Sequence, residues 1–455
     1  MNRSLEHANP LGIEPIPKLL VRFSVPAIVG MLVNALYNVV DRIYIGNSPT
    51  LGANGIAGIT IGFPIMIILM SMGVLFGIGG STLFSIRLGQ KRTEDAEQVL
   101  GNALFMLLTG GLLFMIIGQL FLSKILVLFG ASETVLPYAT SYMRIIFFGS
   151  IFQVTNMGMN NFIRADGNPK VAMLSMLLGA GTNIVLDPIF IYALNWGMAG
   201  AAFATVLSQC VSTIWVISYF LGNRSRVKLE VKTIHLQASV IKSFTILGLP
   251  AFVLQITSSL LNIILNRTLI LNGGDLAISA MGIVNSLQTL IFMPVIGINQ
   301  GVQPLISFNF GAKQYDRVKQ AAKLGILSAT AVMLIGYLAT RFFPTALVGM
   351  FNRQPDLLNL GTFALKRWFL LTPLVGYQII AGNFFQAIGK SRIALTLTLS
   401  RQGLILIPSI LIFAHFFGLE GILWAAPVSD ALSTLLTTFF FVPGLRDLEK
   451  KAVTI

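Results

Sequence analysis

SVPAIVGMLVNALYNVVDRIYIG, residues 24–46, is the stretch that decides the fold. A helix rises 1.5 Å per residue, so about 20 apolar residues cross a hydrocarbon layer of roughly 30 Å, and this run is long enough. It is not apolar all round. Asn34, Tyr37, Asn38 and Asp41 fall at i, i+3, i+4 and i+7, a single stripe on one helical face. An ionised Asp at the centre of a membrane helix costs roughly 2.5–3.5 kcal/mol on insertion scales, so the stripe must face protein or water. A helix of this kind needs neighbours.

The rest of the chain supplies them. Apolar runs recur near 18–45, 55–80, 100–122, 138–161, 170–192, 198–221, 241–271, 277–306, 321–344, 361–386, 392–415 and 422–443. The reading is an all-α polytopic membrane protein of twelve transmembrane helices, and a content of 55% hydrophobic against 11% charged residues argues against soluble domains. The residues up to Pro10 are polar and carry no apolar h-region, so the first span is expected to be a mature helix and not a signal peptide. Cys210 is the only cysteine, which excludes an internal disulfide, a thiol metal cluster or a redox pair, and it is expected to be a small core residue.

A net charge of +14 raises the question of nucleic acid, and the distribution of the basic residues answers it. Arg87, Lys91 and Arg92 follow the second span, Arg164 and Lys170 the fourth, and Arg224, Arg226, Lys228, Lys232 and Lys242 the sixth. Lys313, Arg317, Lys319 and Lys323 follow the eighth, and Lys390 and Arg392 the tenth. Loops after odd-numbered spans offer little beyond Lys124, Arg341 and Arg353. The excess lies on one side, which by the positive-inside rule is the cytoplasm and carries both termini. The charge reports topology; no nucleic-acid partner is expected.

The chain is also duplicated. Gly79, Gly89, Asn161, Phe162 and Gly167 match Gly301, Gly311, Asn383, Phe384 and Gly389 at one offset of 222 positions, and Pro26 resembles Pro250. Each copy holds an even number of spans, so the copies share one orientation, related by an axis along the membrane normal. The expected organisation is a six-helix lobe over 1–222, a cytoplasmic linker over 223–242 and a second lobe over 243–455. Two lobes that can rock about a cavity are transport architecture. A receptor or scaffold could also be duplicated, so polar residues within the membrane must carry the functional reading.

Of 17 acidic residues, the spans enclose only Asp41, Asp187 and Asp430. Asn183 and Asp187 repeat the i, i+4 device in the fifth span, the fourth offers Gln153, Asn156 and Asn160, and the sixth Thr205 and Gln209. Asp41, Asp187 and Thr205 lie at similar height in the outer half. Polar stripes can simply glue helices, but amides alone would serve for that. Asp430 has Arg401 at matching depth and is expected to pair with it, while Arg42 and Arg267 suit snorkelling anchors. The second lobe has Gln255, Asn262, Asn266, Gln288, Tyr377 and Gln402 but no acid opposite either carboxylate; counted from the repeated prolines, Leu265 stands where Asp41 does.

These motifs resemble the multidrug and toxic compound extrusion (MATE) transporters. The likeness rests on 24–46, the Gly-rich stretch and basic loop at 76–92, FIRADGNPK at 162–170, NIVLDPIFIY at 183–192 and the duplication, and it is strongest to prokaryotic members with an acidic site in the first lobe. It implies a cation-coupling site at Asp41, Asn183, Asp187 and Thr205. It places Tyr37, Asn156 and Asn160 nearby; substrate contacts are expected among Asn34, Tyr37, Asn156, Asn160, Gln255 and Asn262, and Pro26 is expected to bend the first helix as a switch. Burial would let Asp41 or Asp187 take a proton from outside and release it inward, exchanged for a cationic drug or dye; sodium is the alternative coupling ion. No cofactor or metal is implied, and the chain is expected to sit in a bacterial inner membrane, in contact with lipid, and to work as a single copy.

Other classes fit less well. Gly389-Lys390-Ser391 lacks the earlier glycine of a phosphate loop, where Phe384 stands, and neither HExxH nor GxSxG occurs, so neither a nucleotide-driven pump nor an enzyme is indicated. An ion-coupled flippase of a lipid-linked saccharide shares the broad architecture. Its pyrophosphate would call for cationic cavity residues, where this chain offers acids.

Overall fold

The structure, a computed structural model, describes residues 9–48, 51–222, 224–229 and 235–453. Lys232 and part of the expected linker lie outside these residues. Twelve helical spans run through the described chain. They are α1 (Ile16–Gly46), α2 (Gly52–Gly89), α3 (Thr93–Leu128), α4 (Leu136–Phe148 and Ser150–Ala165), α5 (Pro169–Pro188, extended by a π-turn at Ile189–Ala193) and α6 (Gly197–Leu221). The second repeat gives α7 (238–273) and α8 (275–311), α9 (Tyr315–Phe342), and α10 (Pro355–Trp368 and Thr372–Ala387, bent by 48°). It ends with α11 (391–417, with a π-turn at Ser400–Leu406) and α12 (419–453).

Each span is where the apolar runs place it, and the surface is apolar where lipid would lie: Leu120, Leu128, Leu271, Phe342 and Phe439 are each more than 70% exposed. Gly274 at φ 61° and Gly418 at φ 58° turn the chain between α7 and α8 and between α11 and α12, a conformation in which a Cβ is unfavourable.

The duplication is visible in the backbone. Lys91 at φ 62° and Lys313 at φ 58° are left-handed, as are Gly167 at 100° and Gly389 at 83°, and both pairs are 222 positions apart. Two copies of one unit thus make the same turns with the same residues.

Packing divides the chain into two compact units, one of 29–252 and one of the described residues up to 28 together with those from 253 onward. The N-terminal parts of α1 and α7 therefore each pack outside their own repeat. Within the first unit, α7 lies on α2 so closely that a Cβ on Gly248 would stand 1.8 Å from the Leu75 carbonyl oxygen, and one on Gly79 2.0 Å from that of Phe244. Phe244 is fully buried there, edge-on to Phe76, and Asn102 of α3 fixes the start of the segment by accepting from the Gln237 N–H and donating to the His235 carbonyl.

Within the second unit, α1 lies on α8 at Gly297 and Gly301, whose added Cβ atoms would meet the Ile28 and Ser24 backbone at 2.8 Å. Arg317 straps the segment before α1 by donating to the Leu11 and Glu14 carbonyls and to Asn309 Oδ1. Pro26 and Pro250 stand close to the residues where α1 and α7 pass from one unit to the other.

Candidate functional site

Four residues from three helices of the 29–252 unit converge at one place. Asn183 and Asp187 of α5 are fully buried, Asp41 of α1 is 6% exposed and Thr205 of α6 is 3% exposed. The Asn183 amide donates to Asp187 Oδ1 at 3.3 Å and to Thr205 Oγ1 at 3.5 Å. Asp41 lies against Asp187, the two carboxyls within hydrogen-bonding reach once one carries a proton. The four residues expected to form the coupling site are brought together.

The C-terminal end of α5 holds this geometry. The Tyr192 hydroxyl, on the π-turn that follows Asp187, donates to the Tyr44 carbonyl of α1 at 2.6 Å, and the two rings meet edge-on with centroids 6.2 Å apart. A π-turn widens the helix by one residue, and here it aims Tyr192 at α1 one turn above Asp41. Tyr37 lies close enough to interact with both carboxylates, as the polar stripe requires.

Tyr142 of α4 was not among the expected residues. It is buried, hydrogen-bonded to Thr205 and close to Asp41, Asp187 and Tyr37. One tyrosine in an aromatic-rich span carries no pattern; only its place near the start of α4 could have pointed to it.

Asp41 Oδ1, Asn183 Oδ1 and Asp187 Oδ2 are buried and accept no hydrogen bond among the described residues. Such atoms are costly unless something else satisfies them. Two adjacent carboxylates also cannot both stay ionised without a positive charge between them, and a proton or a hard cation that prefers oxygen ligands fits this set. Among the described residues no group of three or more His, Cys, Asp or Glu could hold a metal ion.

The remaining expected residues are placed differently. Asn156 of α4 is half-buried with Oδ1 unpartnered, as are Oε1 of Gln153 and Oγ1 of Thr155 beside it. Asn160 is fully engaged: it donates to the Ala172 carbonyl at 2.9 Å and to Ser175 Oγ, and accepts from Arg164 Nη1, tying α4 to α5. Asn34 is half-buried, its carbonyl accepting from the Asn38 amide at 2.6 Å. Gln255 and Asn262 belong to the other unit, where Asn262 donates to the Ser258 carbonyl at 2.9 Å. Arg401 pairs with Asp430 as expected, Nε to Oδ1 at 3.0 Å, and Arg42 stacks over Phe63.

A further buried acid lies at the C-terminal end of α4. Asp166 is fully buried and accepts at Oδ2 from the Tyr219 hydroxyl, from Ser225 Oγ at 3.1 Å and from the Arg226 N–H at 3.2 Å, pinning the chain that leaves α6. Burial pushes its carboxyl up to about 6, with those three donors pulling the other way.

Twelve spans in two parallel repeats, with a buried acid pair able to hold an ion at one place, define a membrane transporter and not an enzyme. The chain belongs to the MatE family, whose model matches residues 26–189 and 250–412, once in each repeat. It is similar to the multidrug export protein MepA of Staphylococcus aureus strain MSSA476, 29% identical over 433 residues and 95% of both chains. MepA of Staphylococcus haemolyticus strain JCSC1435 is 28% identical over 94% of both. Among solved structures, the MATE multidrug transporter DinF-BH in complex with a dye superposes with a TM-score of 0.89 at 42% identity, over 95% of this chain and 96% of that one. A MATE crystal structure in the bent conformation gives 0.91 at 25% identity, over 99% and 98%. The resemblance drawn from the motifs is thereby confirmed.

Proposed function

We propose that this chain is a secondary multidrug exporter that expels small organic cations in exchange for protons entering the cell. The observation that carries the reading is the contact of Asp41 with Asp187, two buried carboxyls with unpartnered oxygens, in one repeat only. Asn183 and Thr205 complete the group, and Tyr37 and Tyr142 border it. The MepA relatives are multidrug export proteins and the DinF-BH structure holds a dye, which supports a drug-like or dye-like cargo.

A proton taken from outside neutralises the pair, and a cationic drug competes for the same negative charge. Because proton and drug favour different states of the two lobes, 1–222 and 243–455 joined by 223–242, inward proton flow shifts the population toward drug release outside. Pro26 lies where α1 passes between the compact units and serves as the bend. Both termini and the basic loops face the cytoplasm of a bacterial inner membrane, and one copy suffices.

A lipid-linked saccharide carrier is less well supported. Arg401 is the one basic side chain lining the cavity among the described residues and it is shared with Asp430, too little cationic charge for a pyrophosphate.

Ethidium efflux from a pump-deficient bacterium expressing the chain tests the reading. Asp41→Asn and Asp187→Asn should each abolish efflux, and unchanged efflux in both sinks the assignment. Vesicles given an imposed proton or sodium gradient identify the ion: drug uptake should follow the proton gradient, and uptake driven by sodium alone would transfer the site to that ion.

A further inference from the structure

The repeat without the acid pair has a polar site of its own. A cavity of about 340 Å³ opens among α7, α8, α10, α11 and α12. Arg401 stands ten residues into α11 and Asp430 eleven residues into α12, so both lie roughly 15 Å from a helix end, near the middle of the membrane. Charged groups at that depth are costly and mark ligand or ion sites more often than not.

The hydrogen bonds around this cavity leave donors facing it. Arg401 is joined to Asp430 through Nε alone, so neither Nη group has a protein acceptor among the described residues, and the guanidinium is steadied beside the Phe292 ring with Cζ 5.9 Å from its centroid. Gln288 Oε1 accepts from the Trp368 indole N–H at 3.0 Å, and Gln402 Oε1 accepts from Ser258 Oγ at 2.8 Å. With both amide oxygens held by the protein, the amide nitrogens remain as donors. The π-turn at Ser400–Leu406 lets the consecutive residues Arg401 and Gln402 both border the cavity, and π-turns recur at functional sites for this reason.

We propose that this cavity binds an aromatic carboxylate. The carboxylate lies forked on the two Nη groups of Arg401, flanked by the Gln288 and Gln402 amides, with the ring system against Phe292 and Trp368. A planar guanidinium matches a carboxylate two bonds at a time, and a volume at the lower end of the range for small-molecule sites suits a two-ring acid. Asp430 holds the guanidinium in place in the empty site and competes with the ligand for it. This site is separate from the acid pair, and its cargo is of opposite charge.

An ion pair that only fastens α11 to α12 would behave otherwise, and equilibrium binding to the full chain in nanodiscs distinguishes the two. The probes are 2-naphthoate, its uncharged amide 2-naphthamide and the cation 2-naphthylmethylammonium. Naphthoate should bind at least tenfold tighter than either analogue. Arg401→Gln should remove that preference, and Asp430→Asn, which ends the competition, should tighten naphthoate severalfold. Overturning results are a naphthoate affinity unchanged in Arg401→Gln, equal weakening in both variants, or an ammonium that binds as well as the acid. Should either charge variant fail to fold, Gln288→Met and Gln402→Met decide: each should weaken naphthoate about fivefold and naphthamide less, and unchanged affinity in both rejects the site. No gradient is involved, so the result is independent of the efflux test.

Discussion

Replacing Gly248 by Ala tests the packing that carries α7 out of its own repeat. The added Cβ would lie 1.8 Å from the Leu75 carbonyl oxygen and 2.7 Å from its carbon, where ordinary contact begins at 3.4 Å. Both are backbone atoms of α2, so no side-chain rotation relieves the clash and the helices must part by about 1.6 Å. Phe244, buried against Phe76 one turn earlier, would be drawn out with the helix. Overpacking of this kind costs about 1–3 kcal/mol, and lost dispersion around Phe244 places the estimate toward the upper end.

Gly282→Ala is the control. Apart from its own helix backbone and chain neighbours, no atom of the described residues lies within 4 Å of its Cβ position, and removing backbone freedom from a helix interior should gain about 0.5–1 kcal/mol. Thermal unfolding of the solubilised protein should therefore fall by several degrees for the first variant and hold or rise for the second. Gly79→Ala opens the same gap from the other side, so the double variant should cost less than the two separate losses together. A Gly248→Ala protein as stable as Gly282→Ala would refute the close approach of α2 and α7.

Three further outcomes are expected. Asp166 holds a carboxyl raised to about 6 by burial, so its contribution is fully present below about 4 and lost as pH rises through 6; the stability of wild type relative to Asp166→Asn should fall by up to about 3 kcal/mol between pH 4 and pH 7.5, read by thermal unfolding at each pH. Arg317→Ala removes charged donors from the Leu11 and Glu14 carbonyls, and amide exchange across 10–15 should accelerate about 10- to 100-fold, with no change across α5. Gln378→Leu strips the Asp430 carbonyl, Ser433 and Thr434 of a shared buried donor and should lower stability by about 1–3 kcal/mol.

Much of this was legible in the chain itself, for definite reasons. Helical spans announce themselves because lipid demands about 20 apolar residues, and an acid inside one is conspicuous because it is expensive, which is why Asp41 and Asp187 could be named and do meet. Asn160 shared their pattern, yet its amide is spent on Ala172 and Ser175; an i, i+4 stripe does not tell a ligand from a helix fastener. Tyr142 had no pattern to show. Nor did the exchange of N-terminal helix segments between the compact units, because it turns on single close approaches at Gly79, Gly248, Gly297 and Gly301, and one glycine in an apolar helix looks like any other.

The duplication explains why the repeats can diverge without losing the fold. On the offset of 222, Gly79 and Gly301 are counterparts, and each receives the N-terminal part of a crossing helix, so the backbone device exists twice. The chemistry does not. Arg401 and Asp430 fall opposite Gly179 and Ser208, and in the first repeat those two already face one another: a Cβ on Gly179 would come within 4 Å of both the Ser208 carbonyl and the Ser212 hydroxyl. The contact between fifth and sixth helices is thus common to both repeats, closed by a glycine and serines in one and by an ion pair in the other. Of the acid pair, Asp187 stands eight residues beyond Gly179 along the fifth helix, where the second repeat has Ser409, and Asp41 stands on the first helix, where counting from the repeated prolines gives Leu265. One scaffold therefore offers two depths at which charge can be placed. Each repeat has filled a different one, which is how a single chain can hold an acidic site and a donor-lined site without either disturbing the packing of the other.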